Sequence, residues 1–363
     1  MYRALDTVAR EMSGGIMAAT RDSTAESVAV GQEIDFPVTP AATIRDIEPA
    51  AAAPSASGDV IGNRKLKITK CRAGDIIWSG NEGIAVGGSR GAIVQNQVEQ
   101  RIRAIVNEME TDVVTNAVTE GLGAFYSVGT AGTTPFASDL TVLTAGLKQL
   151  LDKGSPTSEL QAVINTSAGQ NLRNLSNLQK VSESGDNSLL RQGMLGQLMG
   201  FDVRESAGFK NRNTGTSYLA NGGESAGAMS VTVDTGSGKI EAGSIVKFGS
   251  DTTLYVVAED MASGGTELKL TQGLKADVAD NATVTVVSCL PSVLFPRSNI
   301  WLATRTVPNG GDSAAEVRTI TDPRTGLSFT ASLYREYKRT RLEIGMAWGV
   351  GTIKPEWNIP ILG

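Results

Sequence analysis

Residues 93–118, IVQNQVEQRIRAIVNEMETDVVTNAV, carry the strongest structural signal in the chain. Apolar residues recur at spacings of three and four, with polar residues between them: Val94, Val98, Ile102, Ile105, Val106, Met109, Val113 and Ala117. This pattern predicts an amphipathic helix that runs for roughly 40 Å at 1.5 Å per residue. We interpret the apolar stripe as core packing and the charges on the opposite face as solvated.

The segments around this helix differ in their residue patterns. Residues 33–80 are extended and rich in Ala, Pro and Thr before a strand-like end, which favours a long two-stranded arm that its own body could not bury. Residues 157–224 alternate helix and strand patterns, as in a mixed α/β or α+β domain.

Short strands and glycine turns dominate the next stretch, which indicates a small all-β insertion, a barrel or a sandwich. The predicted strands span residues 229–233, 245–248, 253–258, 267–270 and 283–287. The mixed helix and strand pattern resumes after residue 290, so an insertion into a parent domain is favoured over a linear series of domains.

Composition narrows the class of protein. The chain has 363 residues and a net charge of -5, whereas proteins that grip nucleic acid by its phosphates normally carry a basic surplus. No apolar run approaches the ~20 residues that span a bilayer, and the first residues lack a signal-peptide pattern. These features predict a cytosolic protein without a membrane segment and without sequence-specific nucleic-acid binding.

The chain contains no histidine, which rules out Ser-His-Asp and Cys-His catalysis and histidine-based zinc sites. Cys71 and Cys289 are the only cysteines. One disulfide could join them, but two lone buried thiols in a reducing cytosol are favoured.

Two short segments match the sequences of catalytic motifs but lack the partner residue or the local structure that each motif needs. Residues 87–91, GGSRG, place Ser89 in a nucleophile-elbow pattern that needs a histidine base. Ser244 and Lys247 match S-x-x-K, but the strand pattern there points them to opposite faces. Phosphate-loop, dinucleotide and calcium-loop motifs do not occur. We therefore expect no enzyme activity and no catalytic, cofactor-binding or metal-binding residues.

Four stretches resemble motifs of tailed-bacteriophage major capsid (coat) proteins. They are GFDVRES at 200–206, FPRSNIWLATR at 295–305, DPRTGLS at 322–328 and GVGTIKPE at 349–356. Each motif alone is modest, but the four agree with the family in order and spacing, so the resemblance extends over nearly all of the chain. The resemblance extends to the branch with an inserted β-domain, as in short-tailed enterobacterial phages, although Pro296 departs from its pattern.

The resemblance implies an α+β chain with the Hong Kong 97-type capsid fold: a long spine helix, an extended β-hairpin arm, an axial domain and an inserted small all-β domain. The implied division is an N-terminal arm at 1–32, an extended hairpin loop at 33–92, a peripheral domain at 93–156 and 318–363, an axial domain at 157–224 and 290–317, and an inserted β-barrel-like domain at 225–289.

The resemblance also implies a function. The chain would be a structural major capsid protein that self-assembles into pentamers and hexamers of an icosahedral phage head. The head would enclose double-stranded DNA without sequence-specific binding. Implied partners are copies of itself, a scaffolding protein and a portal protein, but no membrane and no cofactor. The implied location is the virion capsid, assembled in the host bacterial cytoplasm. The charges of residues 318–345 would then serve contacts between subunits.

Three rival functions remain. A bacterial encapsulin-type nanocompartment shell protein shares the implied fold, and the β-insertion and long arm argue against it. A hydrolase using Ser89 or Lys247 is disfavoured by the missing histidine. A β-rich surface adhesin is disfavoured by the missing signal peptide.

Overall fold

The computed structural model describes residues 14–27, 31–38, 61–82, 90–179, 196–307, 316–321 and 327–363. The fold is α+β, as predicted, with one long helix, three six-stranded sheets and one separate hairpin. The helices are α1 (Gly14–Ala18), α2 (Arg90–Gly123), α3 (Thr141–Asp152), α4 (Thr166–Asn174) and α5 (Ser176–Gln179). Within these described ranges, no helix has the length and apolar content needed to cross a membrane.

Helix α2 confirms the predicted helix and extends it at both ends to 34 residues, roughly 50 Å. Its buried stripe comprises Val98, Ile102, Ile105, Val106, Met109, Val113, Val114, Ala117, Val118 and Leu122. These side chains form one core with residues from the first sheet, from Val293 and Phe295 of the second and from Ile245 and Val256 of the third. The helix is therefore the element on which all three sheets pack.

The first sheet contains β1 (Thr20–Ser27), β4 (Lys70–Ser79), β16 (Ile300–Thr306), β17 (Glu316–Thr321), β18 (Ser328–Glu336) and β19 (Arg339–Thr352). Strand β19 is central to this sheet. Strand β4 pairs along one of its edges, over its first ten residues, while β18 pairs with residues 339–345 and β16 with residues 347–352 along the other edge. Strand β1 pairs with β16 in parallel.

The second sheet contains β5 (Val128–Gly129), β6 (Leu160–Asn165), β7 (Gln197–Leu198), β8 (Phe201–Ser206), β15 (Ser292–Pro296) and β20 (Ile359–Leu362). All residues of β6, β15 and β20 are buried, as expected for central strands covered on both faces. Helices α3 and α4 contribute Leu143, Leu150 and Leu172 to its core.

The third sheet contains β9 (Tyr218–Ala220), β10 (Ser230–Asp234), β11 (Ile245–Phe248), β12 (Tyr255–Val256), β13 (Glu267–Lys269) and β14 (Thr283–Val286). The five predicted strands match β10 to β14, with end shifts of at most two residues. Strand β9, which precedes residue 225, also belongs to this sheet: it pairs with both β10 and β14, and its Tyr218 is buried in the sheet's own core.

The separate hairpin pairs β2 (Glu33–Val38) with β3 (Gly62–Lys67). The predicted arm over residues 33–80 is shorter in the described structure, because β4 lies in the first sheet, where Ile76 is buried against α2. The hairpin also touches the body: the ring centroids of Phe36 and Trp301 are 4.6 Å apart, and Leu66 is buried.

The described N-terminal segment and the last strands of the chain pack into the first and second sheets. Half of the expected N-terminal arm lies outside the described residues, and its described part packs into the body, with Ile16, Ala18 and Ala19 fully buried. Strand β16, expected in the axial domain, joins β19, and β20, expected in the peripheral domain, joins β15. From residue 292 onward the chain therefore starts in the second sheet, passes through four strands of the first and returns to the second.

Candidate functional site

The two catalytic strings do not form a site in the described structure. Ser89 lies outside the described residues. Ser244 is buried just before β11, and Lys247 lies in that strand opposite Thr285, so the strand prediction there is confirmed. Across the described residues, no three His, Cys, Asp or Glu side chains gather as metal ligands.

Both cysteines are free thiols, Cys289 buried and Cys71 half-buried. Burial raises the pKa of each thiol, and the Glu343 carboxylate adds to the effect at Cys71. Because the thiolate is the reactive form, neither environment activates its cysteine as a nucleophile.

The described surface does offer polar and backbone groups for contacts with other molecules. The hairpin of β18 and β19 ends in a two-residue turn, Tyr337 and Lys338, whose tyrosine is 87% exposed. Lys338 has a φ of 55° and places its ammonium 5.3 Å from the Tyr337 ring centroid. An exposed aromatic ring beside a cation is a feature of protein–protein contacts.

Part of the charge on this hairpin is compensated internally. Arg339 pairs with Glu336, and the Arg341 Nη2 atom lies 3.6 Å from Glu343 Oε2. In the described part of the chain, Arg335 has no ion-pair partner. The tip therefore presents positive charge from Arg335 and Lys338 to the surroundings.

Three strands of the first sheet, β1, β4 and β17, have an edge without a strand partner among the described residues. Residues 316–319 of β17 are all exposed. Unpaired N–H and C=O groups on an edge strand are a template for pairing with another chain. Strand β2 offers a further such edge on the separate hairpin, which carries the exposed Lys65–Glu33 pair at 2.6 Å.

A charged network fixes α2 against the first sheet. Lys70 Nζ donates to Glu108 Oε1 and to Asp112 Oδ1, both at 2.9 Å, and Trp348 Nε1 donates to Asp112 Oδ2 at 2.9 Å. Burial acts to lower the pKa of Lys70, but hydrogen bonds to Asp112 and Glu108 outweigh it and raise the pKa. Burial likewise opposes, without cancelling, the lowering of the Glu108 pKa by Lys70.

Sequence reasoning missed one buried charged residue on α2. Glu110 is 1% exposed and lies within the apolar face, between Val106 and Val114 at helical spacing. A carboxylate inside an otherwise apolar stripe was the available signal. Its partners could not be read from the sequence, because they are two main-chain N–H groups and a serine hydroxyl, each almost a hundred residues away.

Comparison with known proteins identifies the fold. No family model and no curated protein matches the chain. Among solved structures, a chain from Mycobacterium phage Che8 is 15% identical, with a TM-score of 0.51 over 96% of this chain and 87% of that one. A chain from the asymmetric unit of the bacteriophage PhiM1 mature capsid is 13% identical, with a TM-score of 0.50 over 95% and 85%. The chain therefore shares the fold of these phage proteins along almost its whole length.

Proposed function

We propose that this chain is the structural subunit of a phage head, a major capsid protein that assembles into the pentamers and hexamers of an icosahedral shell. The observation that carries the proposal is the fold shared with the PhiM1 mature capsid chain, which extends over nearly all of both proteins. At this level of identity the likeness concerns the fold, and the function is our inference from it.

The surface of the subunit supports the proposal. A shell subunit is contacted on several sides at once, so it needs edges and projecting elements more than a pocket. The edges of β4, β17 and β2 supply unpaired main-chain groups, and the tip at Tyr337 and Lys338 supplies an exposed aromatic ring and charge. We infer a structural role without enzyme activity.

The proposed domain division follows the sheets. Helix α2 and the first sheet form the peripheral domain, the second sheet with α3 and α4 forms the axial domain, and the third sheet is the inserted β-domain, beginning at β9. The hairpin of β2 and β3 is the base of the extended loop. Residues 1–32 remain assigned to the N-terminal arm, with the packed segment 14–27 as its anchor.

The proposed partners are further copies of this chain, a scaffolding protein and a portal protein, in a virion capsid assembled in the bacterial cytoplasm. The shell would enclose double-stranded DNA. A net charge of -5 supports containment without tight phosphate contacts, because binding through phosphates needs a positive surface. DNA retention by the assembled shell should accordingly change little with salt concentration.

Sedimentation velocity of the purified chain, with negative-stain imaging of the fastest fraction, tests the proposal. We expect round shells, or discrete pentamers and hexamers. A monomer at every concentration, with no shells under crowding, would refute it. Shells that copurify with an enzyme cargo instead of DNA when isolated from cells would replace the phage head with a nanocompartment.

A further inference from the structure

The N-terminal segment physically connects the first and second sheets. Helix α1 lies between α2 and β8 of the second sheet, and β1 follows it directly into the first sheet beside β16. Ile16, Ala18 and Ala19 are fully buried along this path. Residues 14–22 therefore act as a strap across two layers that otherwise meet mainly through α2.

Glu110 holds one end of this strap. The Gly15 N–H donates to its Oε1 atom at 2.5 Å, and the Ile16 N–H donates to its Oε2 atom at 2.8 Å. The Ser206 hydroxyl, at the end of β8, adds a third hydrogen bond to the same carboxyl group. One side chain of α2 thus contacts both the strap and the second sheet.

The fit at this contact leaves no room for larger residues. A Cβ on Gly14 would lie 2.0 Å from the main-chain oxygen of Glu205, and one on Gly15 would lie 2.9 Å from Val114 Cγ1. Contacts this short do not occur between real atoms, so α1 can approach the carboxyl group only because both positions are glycine.

The charge of Glu110 is poorly compensated. Within the described ranges, no cationic side chain forms an ion pair with it, and burial of an unpaired carboxylate is costly. Helix α1 carries no ionisable side chain, and the Glu205 carboxylate of β8 is engaged by Arg173 of α4. A cleft of about 540 Å³ reaches Glu110 and is lined by the charged residues Lys70, Glu108, Asp112, Lys210 and Arg212.

We propose that Glu110 is a proton-sensitive latch for the strap of residues 14–22, which tightens when the carboxyl group takes up a proton and loosens when it ionises. This mechanism operates within one chain and does not depend on the proposed assembly into a shell. Protonation weakens the acceptor for one N–H group but removes a buried charge, and the removal of the charge is the larger effect.

The direction follows from linkage. Burial raises the pKa of Glu110, and the hydrogen bonds from Ser206, Gly15 and Ile16 oppose this without cancelling it. With the strap open, the carboxyl group is hydrated and keeps its ordinary value of 4.5. The closed state therefore binds the proton more tightly. Closure of the strap is therefore favoured as the pH falls toward 4.5, the ordinary pKa. It is disfavoured as the pH rises through the higher pKa that Glu110 has in the closed state.

Hydrogen exchange of the full chain, read by mass spectrometry at pH 5.5 and pH 7.5 and corrected for intrinsic rates, tests this proposal. We expect the peptide covering residues 14–22 to be better protected at the lower pH. The gain is at most about tenfold per pH unit for one linked proton. Glu110→Gln, which is neutral at both pH values, should abolish the difference.

Glu99→Gln is the matched control, because Glu99 lies on the same helix and, among the described residues, accepts a single side-chain hydrogen bond, from the exposed Gln95 amide at 3.2 Å. It should keep the full pH dependence of the wild-type chain. Wild-type protection that is equal at the two pH values, or lower at pH 5.5, overturns the proposal without any variant. If Glu110→Gln does not fold, Ser206→Ala decides, since loss of that hydrogen bond should move the transition to higher pH.

Discussion

Asp22 and Arg305 form a largely buried ion pair across 283 positions of sequence, with the Arg305 Nη2 atom 2.7 Å from Asp22 Oδ2. A second amino group of Arg305 donates to the main-chain oxygen of Asp22 at 3.1 Å. The arginine side chain is only 7% exposed. The pair fastens β1 to β16, at the opposite end of the strap from Glu110.

Asp22→Asn should destabilise the chain, because it leaves a buried guanidinium without its countercharge. We expect a loss of about 1–3 kcal/mol in the free energy of unfolding, measured by denaturant titration. Asp152→Asn is the control: its partner Lys148 is 76% exposed, and such surface pairs contribute less than about 0.5 kcal/mol. Equal losses in the two variants would contradict the prediction.

Gly121→Ala should be destabilising although it lies in a helix. A Cβ there would lie 2.5 Å from Pro360 Cδ and 2.6 Å from the Asn358 oxygen, so α2 would be pushed from β20. Overpacking of this kind costs about 1–3 kcal/mol, against a gain of at most about 1 kcal/mol from helix propensity.

Gly123→Ala provides the comparison, because no atom lies within 4 Å of its added Cβ. It should be neutral or stabilising by up to about 1 kcal/mol. Thermal unfolding of both variants tests the close approach of α2 to β20. The opposite order of melting temperatures would show that the two elements are not in tight contact.

Glu108→Gln should reduce the sensitivity of the chain to acid. The Lys70 ammonium holds the pKa of Glu108 below its ordinary value of 4.5, against the effect of burial. The resulting stability is present above pH 4.5 and is lost as pH falls through the lowered value. Unfolding free energy measured between pH 5 and pH 3 should therefore fall less steeply in Glu108→Gln than in the wild-type chain.

The variant Lys70→Met offers an independent check of this prediction, because it removes the cation and keeps the carboxylate. In this variant the unfolding free energy should also fall less steeply between pH 5 and pH 3, and it should be lower than that of the wild-type chain at neutral pH. If the loss of unfolding free energy between pH 5 and pH 3 is unchanged in both variants, the acid sensitivity arises from other carboxylates. The latch at Glu110 acts above pH 4.5, so the two titrations occupy separate ranges.

The double variant Arg335→Glu and Lys338→Glu should weaken assembly without unfolding the subunit. Both residues lie at the tip of the β18–β19 hairpin, and neither has an ion-pair partner within the described residues. We expect fewer or no shells by sedimentation velocity, with an unchanged circular dichroism spectrum. Lys148→Glu, on the exposed face of α3, is the control for charge reversal elsewhere on the surface and should assemble normally. Normal assembly of the double variant would show that the hairpin tip does not take part in the contacts between subunits.

The features predicted correctly from the sequence are those set by local periodicity. The stripe from Val94 to Ala117 predicted α2, and the glycine-separated apolar runs predicted β10 to β14, because neighbouring residues alone produce these patterns. The partners of β1, β16 and β20 could not be predicted, since strand pairing depends on residues distant along the chain. The buried roles of Glu110 and Arg305 depend on those same pairings, so they emerged only with the structure.

The parallel pairing of β1 with β16 has a consequence for how the chain folds during synthesis. Thr20 is opposite Trp301, so the first described strand lacks its partner until some 280 further residues have been made. At about 5–20 residues per second, this delay is roughly 15 to 60 s on the ribosome. During that time the apolar Ile16, Ala18 and Ala19 have no completed body to cover them, so this segment stays open to non-native apolar contacts until β16 has been made.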